Sequence, residues 1–308
     1  MKLFKLLLAS ILSFFLFAFF GTSFISCAKT STVYDTTTVI IRDTITVKDT
    51  VTITDTLGNL SNGLVAYYNF NGGNLNDSSG NNNNIIFSNA TPTVDRFGNP
   101  NNAYLFDGNS SYMQVKNSTS INPNNITLFA IVKVYGFNEA ECHGNQILSK
   151  GYPYTTNGFY QLNFFAINNG TGSCAATVDT TEEVFSGGYG DNNPQGSDAG
   201  AAGISSSDSV WVQKNQWYTI AYTYDGSTAK FYVNGALAYS IPNSNAITFT
   251  PNSNDLFIGK HENPLFPYYF NGVIDEIRIY NKAITNQQIG YLNILKTKYL
   301  KMSNKLIY

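Results

Sequence analysis

The chain has 308 residues, a formal net charge of −2 and only 12% charged residues, whereas aromatic residues reach 15%. Low charge combined with many Tyr, Phe and Thr residues favours a β-rich extracytoplasmic protein over a cytosolic helical enzyme. The near-neutral balance excludes the basic surface that nucleic-acid binding requires, so no nucleic acid is expected as a partner. The length is sufficient for one large β-sandwich with a substantial core.

Residues 1–26 have the features of a bacterial lipoprotein signal peptide. Two lysines precede an apolar run over residues 6–20, and Cys27 then follows Ile25 and Ser26. This resembles a lipobox, although a small residue is usual where Ile25 stands. We therefore expect an outer-membrane lipoprotein of the cell envelope, facing the periplasm or the exterior and held by lipid on Cys27. An uncleaved membrane anchor and an ordinary secretory signal are the alternatives.

Residues 27–60 form a Thr/Asp-rich segment in which Thr alternates with Val and Ile. Period two favours extended backbone, but a single strand has no partner for its hydrogen bonds. We expect an extended stalk, with a strand that pairs with another chain as the alternative. Four Asp-Thr units also resemble the O-glycosylation sequon of Bacteroidetes-type bacteria, unless they only keep the stalk soluble. The acceptors would be Thr36, Thr44, Thr50 and Thr56.

Two cysteines remain once Cys27 is assigned to lipid. In an oxidising compartment Cys142 and Cys174 are expected to form a disulfide. Two separate thiols are an alternative, as is a metal site that combines both with His143. The sequence alone leaves these possibilities open.

From residue 61 the pattern changes to short β runs separated by Gly, Asn, Pro and Asp. Apolar and polar residues alternate in Lys230–Val233, and Asp225-Gly226 and Asn234-Gly235 are tight-turn pairs at hairpin spacing. Thr285 is suited to cap one short C-terminal helix. We predict an all-β fold, an antiparallel two-sheet sandwich over residues 61–293, followed by a tail over residues 294–308.

The polar loop Asn74–Asn84, with the sequence NLNDSSGNNNN, directly follows the strand signal of Gly63–Phe70. Calcium is bound by six to eight oxygens from carboxylates, amides and backbone carbonyls in flexible loops. The loop offers such oxygens, but Asp77 is its only carboxylate, and one carboxylate neutralises a divalent ion poorly.

An ordered series of segments resembles the laminin-G-like, concanavalin A-like lectin/glucanase superfamily, especially its bacterial pentraxin-like modules. The series covers residues 63–291 and consists of GLVAYYNFNGGNLNDSSGNNNNIIF, DRFGNPNNAYLFDGNSSYMQV, ITLFAIVKV, QILSKG, WYTIAYTYDGSTAKFYVNGALAYS, LFIGK and YYFNGVIDEIRIYNKAITNQQI. The resemblance implies a jelly roll of two curved antiparallel sheets. It also implies that the concave face or the rim loops bind glycans.

The same resemblance implies a structural calcium ion between the N-terminal loop and the penultimate strand. Asp77 matches the acidic residue of the loop and Asp275 that of the strand, while Asn81 and Asn71 are weaker candidates for ligands. The alternative is that Asp77 caps a turn and that Asp275 pairs with Arg278 or faces solvent.

Glucanases of this superfamily carry Glu-x-Asp-x-x-Glu on one strand, so that the carboxylates share a face. We find no such string: Glu139–Glu141 lacks the remaining carboxylates, and Glu182 and Glu183 are adjacent and point to opposite faces. The sequence therefore favours a non-catalytic domain. A glycoside hydrolase whose acids are dispersed in the sequence is the alternative.

Aromatic side chains in or beside the long loops are candidates for stacking on sugar rings. They are Tyr152, Tyr154, Tyr189 and Trp211, with ordinary packing as the alternative. Trp217 opens a strand motif and is assigned to the core. The preferred partners are a glycan or a cell-surface or envelope protein, and a purely structural envelope or adhesion protein is a further alternative.

Overall fold

The computed structural model describes residues 59–137, 145–151, 158–166, 183–190, 204–205, 210–242 and 254–303. The chain divides into two compact units, Met1–Thr56 and Leu57–Tyr308, and all described residues belong to the second. Several predicted positions lie outside the described residues: Cys27, the four stalk threonines, Cys142, His143, Cys174, Tyr152 and Tyr154. Among the helices of the described part, none is long and apolar enough to cross a membrane.

The described residues form two antiparallel sheets. Sheet A contains β1 (Leu64–Tyr68), β3 (Thr91–Thr93), β4 (Ala103–Asp107), β6 (Ile126–Val134), β11 (Trp217–Tyr224), β12 (Thr228–Val233), β13 (Ala236–Pro242) and β15 (Asn271–Tyr280). Sheet B contains β2 (Ile85–Ser88), β5 (Met113–Val115), β7 (Asn145–Lys150), β8 (Phe159–Ala166), β9 (Glu183–Gly190), β10 (Ile204–Ser205) and β14 (Leu256–Ile258). One α-helix, α1 (Asn286–Ser303), follows β15.

The strand order shows the expected jelly-roll arrangement. Sheet A runs β13-β12-β11-β6-β15-β4-β3 with β1 also beside β15, and sheet B runs β10-β9-β8-β7-β14-β5-β2. Strands distant in sequence are therefore neighbours in both sheets. The prediction of an all-β, two-sheet sandwich with a C-terminal helix is confirmed, and the helix ends at Ser303.

Aromatic rings fill the space between the sheets. Phe164 on β8 packs edge-to-face against Phe185 on β9 and Phe270, with ring centroids 5.9 and 6.0 Å apart. Phe185 in turn meets Tyr218 of sheet A at 5.0 Å. Edge-to-face aromatic pairs add to the free energy gained by burying apolar surface, so these rings hold the sheets together.

The outer face of sheet A is covered by the end of the chain. Ile289 and Leu292 of α1 pack with Phe129 and Ile131, which point away from the inter-sheet core. Strand β6 is therefore buried on both sides, which explains its continuous apolar sequence ITLFAIVKV. Thr285 caps α1 as predicted: Gln288 N donates to Thr285 Oγ1 at 3.2 Å, and Thr285 N donates to Gln288 Oε1 at 2.9 Å.

Adjacent glycines on β9 provide a test of which face is core. A Cβ on Gly187 would lie 2.7–2.8 Å from Tyr222 inside the sandwich, whereas one on Gly188 would meet Phe159 on the outer face at an ordinary 3.5 Å. We expect Gly187→Ala to lower the free energy of unfolding by about 1–3 kcal/mol through overpacking. The matched Gly188→Ala change should stay within about 0.5 kcal/mol of the parent in urea denaturation. Equal losses in the two variants would contradict this placement of the core.

Candidate functional site

The polar loop Asn74–Asn84 covers the free edge of β1. Strand β1 pairs with β15 on one side only, so its other edge presents unpaired backbone groups. Loop side chains and backbone take the place of a further strand. The bonds run from Ser78 N to Tyr67 O (2.8 Å), Ser79 Oγ to Val65 O (3.1 Å), Asn83 Nδ2 to Val65 O (2.7 Å) and Asn81 Nδ2 to Leu64 O (3.0 Å). The loop is therefore rich in Asn and Ser because these residues donate hydrogen bonds to the unpaired backbone carbonyl groups of β1.

Asp77 is the hydrogen-bonding centre of this loop. Its Oδ1 accepts from Tyr67 N at 2.9 Å and from Ser79 N at 2.8 Å. Its Oδ2 accepts from Ser79 Oγ at 2.8 Å and from Asn83 N at 3.0 Å. A carboxylate has about four lone-pair sites, so all of them are used by the protein. In this geometry Asp77 has no position left for a calcium ion, and it caps the loop instead.

Asp275, the second predicted calcium ligand, is fully buried in β15 and lies beside Arg96. Its Oδ2 accepts from Arg96 N at 3.3 Å and is 4.0 Å from Arg96 Nε. The alternative pairing with Arg278 needs correction, because Arg278 Nε bonds to Glu276 Oε1 at 2.6 Å. Across the described ranges, no group of three or more His, Cys, Asp or Glu residues is arranged to hold a metal ion.

The two weaker calcium candidates are also used in other ways. Asn81 donates Nδ2 to Leu64 O and to Ser79 Oγ, each at 3.0 Å. Asn71 is exposed, and its backbone oxygen accepts from Asn74 N at 3.3 Å. The four predicted residues therefore do not fit a shared calcium ion in this arrangement.

The outer face of sheet B, in contrast, carries a polar and aromatic surface that no helix covers within the described part of the chain. Strand register aligns outward residues across six strands, and we call them the cross-sheet row. From β2 to β9 it reads Phe87, Gln114, Phe257, Ser149, Gln161 and Gly188. The row lacks a carboxylate and ends on Gly188, which is buried and adds no side chain to the face.

A neighbouring row has hydrogen-bond acceptors without donors. Gln146, Asn163 and Ser186 are aligned beside the cross-sheet row. Gln146 donates Nε2 to Gln161 Oε1 at 3.0 Å, but Gln146 Oε1 and Asn163 Oδ1 are buried and accept no hydrogen bond. A buried acceptor left unsatisfied costs about 1–3 kcal/mol, so each of these oxygens needs a donor, which a buried water or a ligand hydroxyl supplies.

The other half of the face is aromatic and carries one cation. Tyr112 lies between Phe87 and Phe257, with ring centroids 4.8 and 6.1 Å away. Lys260 Nζ lies 4.5 Å from the Tyr112 ring centroid and 4.6 Å from that of Phe257. Phe87 is 42% exposed, which leaves ring surface available for contact. The three rings form a platform at one end of the row.

The segment from Lys260 to Tyr268 lies over β7 and separates the two halves. Ser149 Oγ donates to Lys260 O at 3.1 Å, and Gln146 N donates to Tyr268 O at 2.9 Å. His261 of this segment is buried, and burial lowers the pKa of His261 to about 4, so its imidazole is neutral at pH 7. This segment makes the outer face of sheet B a divided groove with an aromatic side and an amide side.

Two of the predicted ligand-binding aromatics can be located. The prediction that Tyr189 binds a ligand is wrong, because Tyr189 is fully buried between the sheets and its hydroxyl donates to Pro123 O. Trp211 is half-buried and forms an isolated bridge with Val184, which aligns it with the outer face of β9. Trp217 packs against the cluster beneath α1, in agreement with its assignment to a core. Sequence reasoning missed the cross-sheet row, because its members come from six separate strands.

Comparison with known families supports the architecture. A laminin G model, described as the concanavalin A-like lectin/glucanases superfamily, matches residues 107–290, which is more than half of the chain. The chain belongs to this superfamily. A sequence comparison with curated proteins finds no match.

Solved structures of the superfamily fold are similar at low identity. Domain 4 of AbnA, a GH43 extracellular arabinanase from Geobacillus stearothermophilus, in complex with arabinotriose, is 19% identical with a TM-score of 0.50, covering 75% of this chain and 98% of that one. The binding domain of Paraclostridial Mosquitocidal Protein 1 is 17% identical with a TM-score of 0.53, covering 76% of this chain and 52% of that one. The binding domain of botulinum neurotoxin DC in complex with rat synaptotagmin II is 13% identical with a TM-score of 0.53, covering 76% of this chain and 52% of that one. The chain spans about half the length of these toxin domains, and such identities show the fold alone.

Glu183 deserves comparison with the catalytic acids of superfamily glucanases because it is a buried carboxyl group on sheet B. It shares the inward register of Phe185 on β9 and accepts from Asn145 Nδ2 at 3.0 Å, while its Oε1 has no partner. Burial raises the pKa of Glu183 to about 9, against the opposing effect of Lys214. The side chain is therefore protonated at pH 7 and belongs to the core.

The role of Asp77 as the cap of the loop predicts that substituting it strongly lowers the stability of the domain. Asp77→Ala removes four accepted hydrogen bonds and leaves the amide of Tyr67 on the β1 edge without a partner, so the free energy of unfolding should fall by roughly 1.5–3 kcal/mol. Asp225→Ala is the matched control, since Asp225 accepts only from Ser227 and Thr228 of its own exposed turn. Its loss should be smaller in the same urea titration. A larger loss for Asp225→Ala would contradict the edge-cap role.

The raised pKa of Glu183 predicts that the stability of the domain depends on pH. The native state holds this proton up to about pH 9, whereas the ordinary pKa is 4.5. Native protein binds more protons in that window, so the free energy of unfolding should fall as pH rises through it. Glu183→Gln should flatten this decline, with a gain at pH 8 that is absent at pH 4, when thermal midpoints are compared. Parallel pH profiles of the variant and the parent would contradict the assignment.

Proposed function

We propose that the protein is a non-catalytic glycan-binding domain of the cell envelope and that the outer face of sheet B holds the glycan. The cross-sheet row is the observation that carries the proposal. It combines amide side chains for hydroxyl groups with aromatic rings for the apolar faces of sugars on one face of sheet B, on the two sides of the Lys260–Tyr268 segment. The outer face of sheet A is less suited, because α1 already covers it.

The unsatisfied acceptors favour a ligand rich in hydroxyl groups. Gln146 Oε1 and Asn163 Oδ1 require donors, and each sugar hydroxyl supplies one. Gln161 accepts from Gln146 Nε2 and is paired with Gly188 in the register of β8 and β9. Both oxygens are buried in this arrangement, so a glycan laid along the amide side reaches them only when these side chains turn toward it.

The aromatic platform favours a second point of contact for the same ligand. Rings at Phe87, Tyr112 and Phe257 offer flat apolar surface, and Lys260 adds a cation that also suits an acidic sugar. Contact on both sides of the Lys260–Tyr268 segment would require a chain of several sugar units. An oligosaccharide is therefore a better fit than a monosaccharide.

The row itself argues for binding in preference to hydrolysis. Glycoside hydrolysis in its common forms requires two carboxyl groups that flank the scissile bond. The cross-sheet row contributes amide, hydroxyl and aromatic groups only, and Glu183 points into the core. The row itself offers no acid and nucleophile pair. The carboxyl groups beside it are Asp255, whose Oδ2 accepts from Gln114 Nε2 at 2.6 Å, and Glu262 in the segment over β7.

The envelope location rests on the sequence. We propose lipidation of Cys27 and a stalk over residues 27–60 that separates the domain from the membrane. The arabinotriose-bound arabinanase domain supports a glycan ligand, whereas the synaptotagmin-bound toxin domain supports a protein partner. We favour the glycan because aromatic rings and amide side chains share one face of sheet B.

The test is a glycan array, followed by calorimetric titration of the best oligosaccharide. Phe257→Ala and Gln161→Ala should each weaken binding about tenfold, the equivalent of about 1.4 kcal/mol. Tyr239→Ala is the matched control, since Tyr239 is an exposed aromatic of sheet A, and its affinity should equal that of the parent.

Three outcomes would overturn the proposal. Release of reducing ends from a bound polysaccharide would identify an enzyme. Stable capture of a protein partner without affinity for any glycan would identify a protein-binding domain. Equal affinity of all three variants would place the ligand elsewhere on the domain.

A further inference from the structure

Strand β15 contains a buried charge at the point where its pairing is irregular. Its register with β6 shifts between Ile274 and Glu276, which makes Asp275 the extra residue of a β-bulge. The Asp275 side chain is fully buried. A buried carboxylate is unfavourable unless a positive charge and hydrogen bonds compensate for it.

Arg96 supplies a positive charge at this point. Its backbone amide donates to Asp275 Oδ2 at 3.3 Å, and its Nε lies 4.0 Å from the same oxygen. The Arg96 side chain is only 11% exposed, and its Cζ lies 4.9 Å from the centroid of the Phe97 ring. Nε and Nη2 of Arg96 are buried without hydrogen-bond partners. The guanidinium is thus held near the bulge by its charge and by ring contact.

The other carboxylates around Arg96 have donors of their own. Glu276 is paired with Arg278 at 2.6 Å, and Asp95 accepts from Phe97 N at 2.7 Å and from Asn99 N at 2.9 Å. Burial lowers the pKa of Arg96, while Asp275 and then Glu276 and Asp95 oppose that change. Arg96 is therefore a desolvated cation whose charge is opposed by carboxylates on its own loop and on β15.

We propose that Arg96 is the built-in cation of the domain and that it makes closure of the fold independent of calcium. The guanidinium neutralises Asp275 at the bulge, while protein donors occupy Asp77 on the far edge of β1. Both charged members of the calcium site that the family resemblance implies are thus compensated by the chain itself. The inference concerns stability and does not depend on the proposed glycan binding.

The experiment uses the full chain and calcium chloride as the probe. Thermal midpoints are measured in excess EGTA and in millimolar calcium chloride, and calcium binding is measured by calorimetric titration. The parent should show equal midpoints and no binding heat. Arg96→Gln should lower the midpoint by about 5–10 °C, because it leaves Asp275 buried without its cation.

Two further variants separate loss of charge from loss of packing. Arg96→Lys keeps the positive charge, so its thermal midpoint should stay close to that of the parent. Adding Asp275→Asn to Arg96→Gln removes the uncompensated carboxylate and should recover part of the loss. A parent midpoint that rises by several degrees in calcium would overturn the proposal, as would calcium binding by titration. An Arg96→Gln midpoint equal to that of the parent would overturn it as well.

Discussion

The structure depends on one constraint: along one of its edges, strand β15 pairs with two different strands. Its first residues pair with β4 and its last with β1, while β6 runs along the whole of its other edge. The bulge at Asp275 lies at the change of partner. Two further features follow from it: a buried carboxylate that needs Arg96, and a free edge of β1 that needs the polar loop. The least regular point of the sandwich thus accounts for the most polar parts of its interior.

The same topology decides which surface is available for a ligand. Because α1 follows β15 directly, it packs on the outer face of sheet A and buries Phe129 and Ile131. Sheet B has no helix over it among the described residues, although the Lys260–Tyr268 segment crosses it at β7, and the cross-sheet row consists of amides, rings, a serine and a glycine. Function is assigned to sheet B for this reason. In this proposal the fold selects the face that binds the ligand, and the row selects the chemistry of that ligand.

Local patterns in the sequence predicted local structure well. The apolar run ITLFAIVKV, the turn pair Asn234-Gly235 and the Thr285 cap were predictable because each depends on neighbouring residues. Contacts between distant residues were not: Arg96 and Asp275 are 179 residues apart, and the cross-sheet row joins six strands whose register a single sequence does not determine. Tyr189 was misplaced because aromatic residues serve both cores and binding faces. The Asn-rich loop suggested oxygen ligands, but its donors were needed by the edge of β1.

The central claim is that the outer face of sheet B binds a glycan, and hydrogen–deuterium exchange with and without the bound oligosaccharide tests it most directly. The account predicts slower exchange in residues 145–151, 158–166 and 254–270, where the face is built. It also predicts unchanged exchange in α1 and in the loop over β1. Protection confined to α1 or to the β1 loop, with the sheet B segments unaffected, would contradict it.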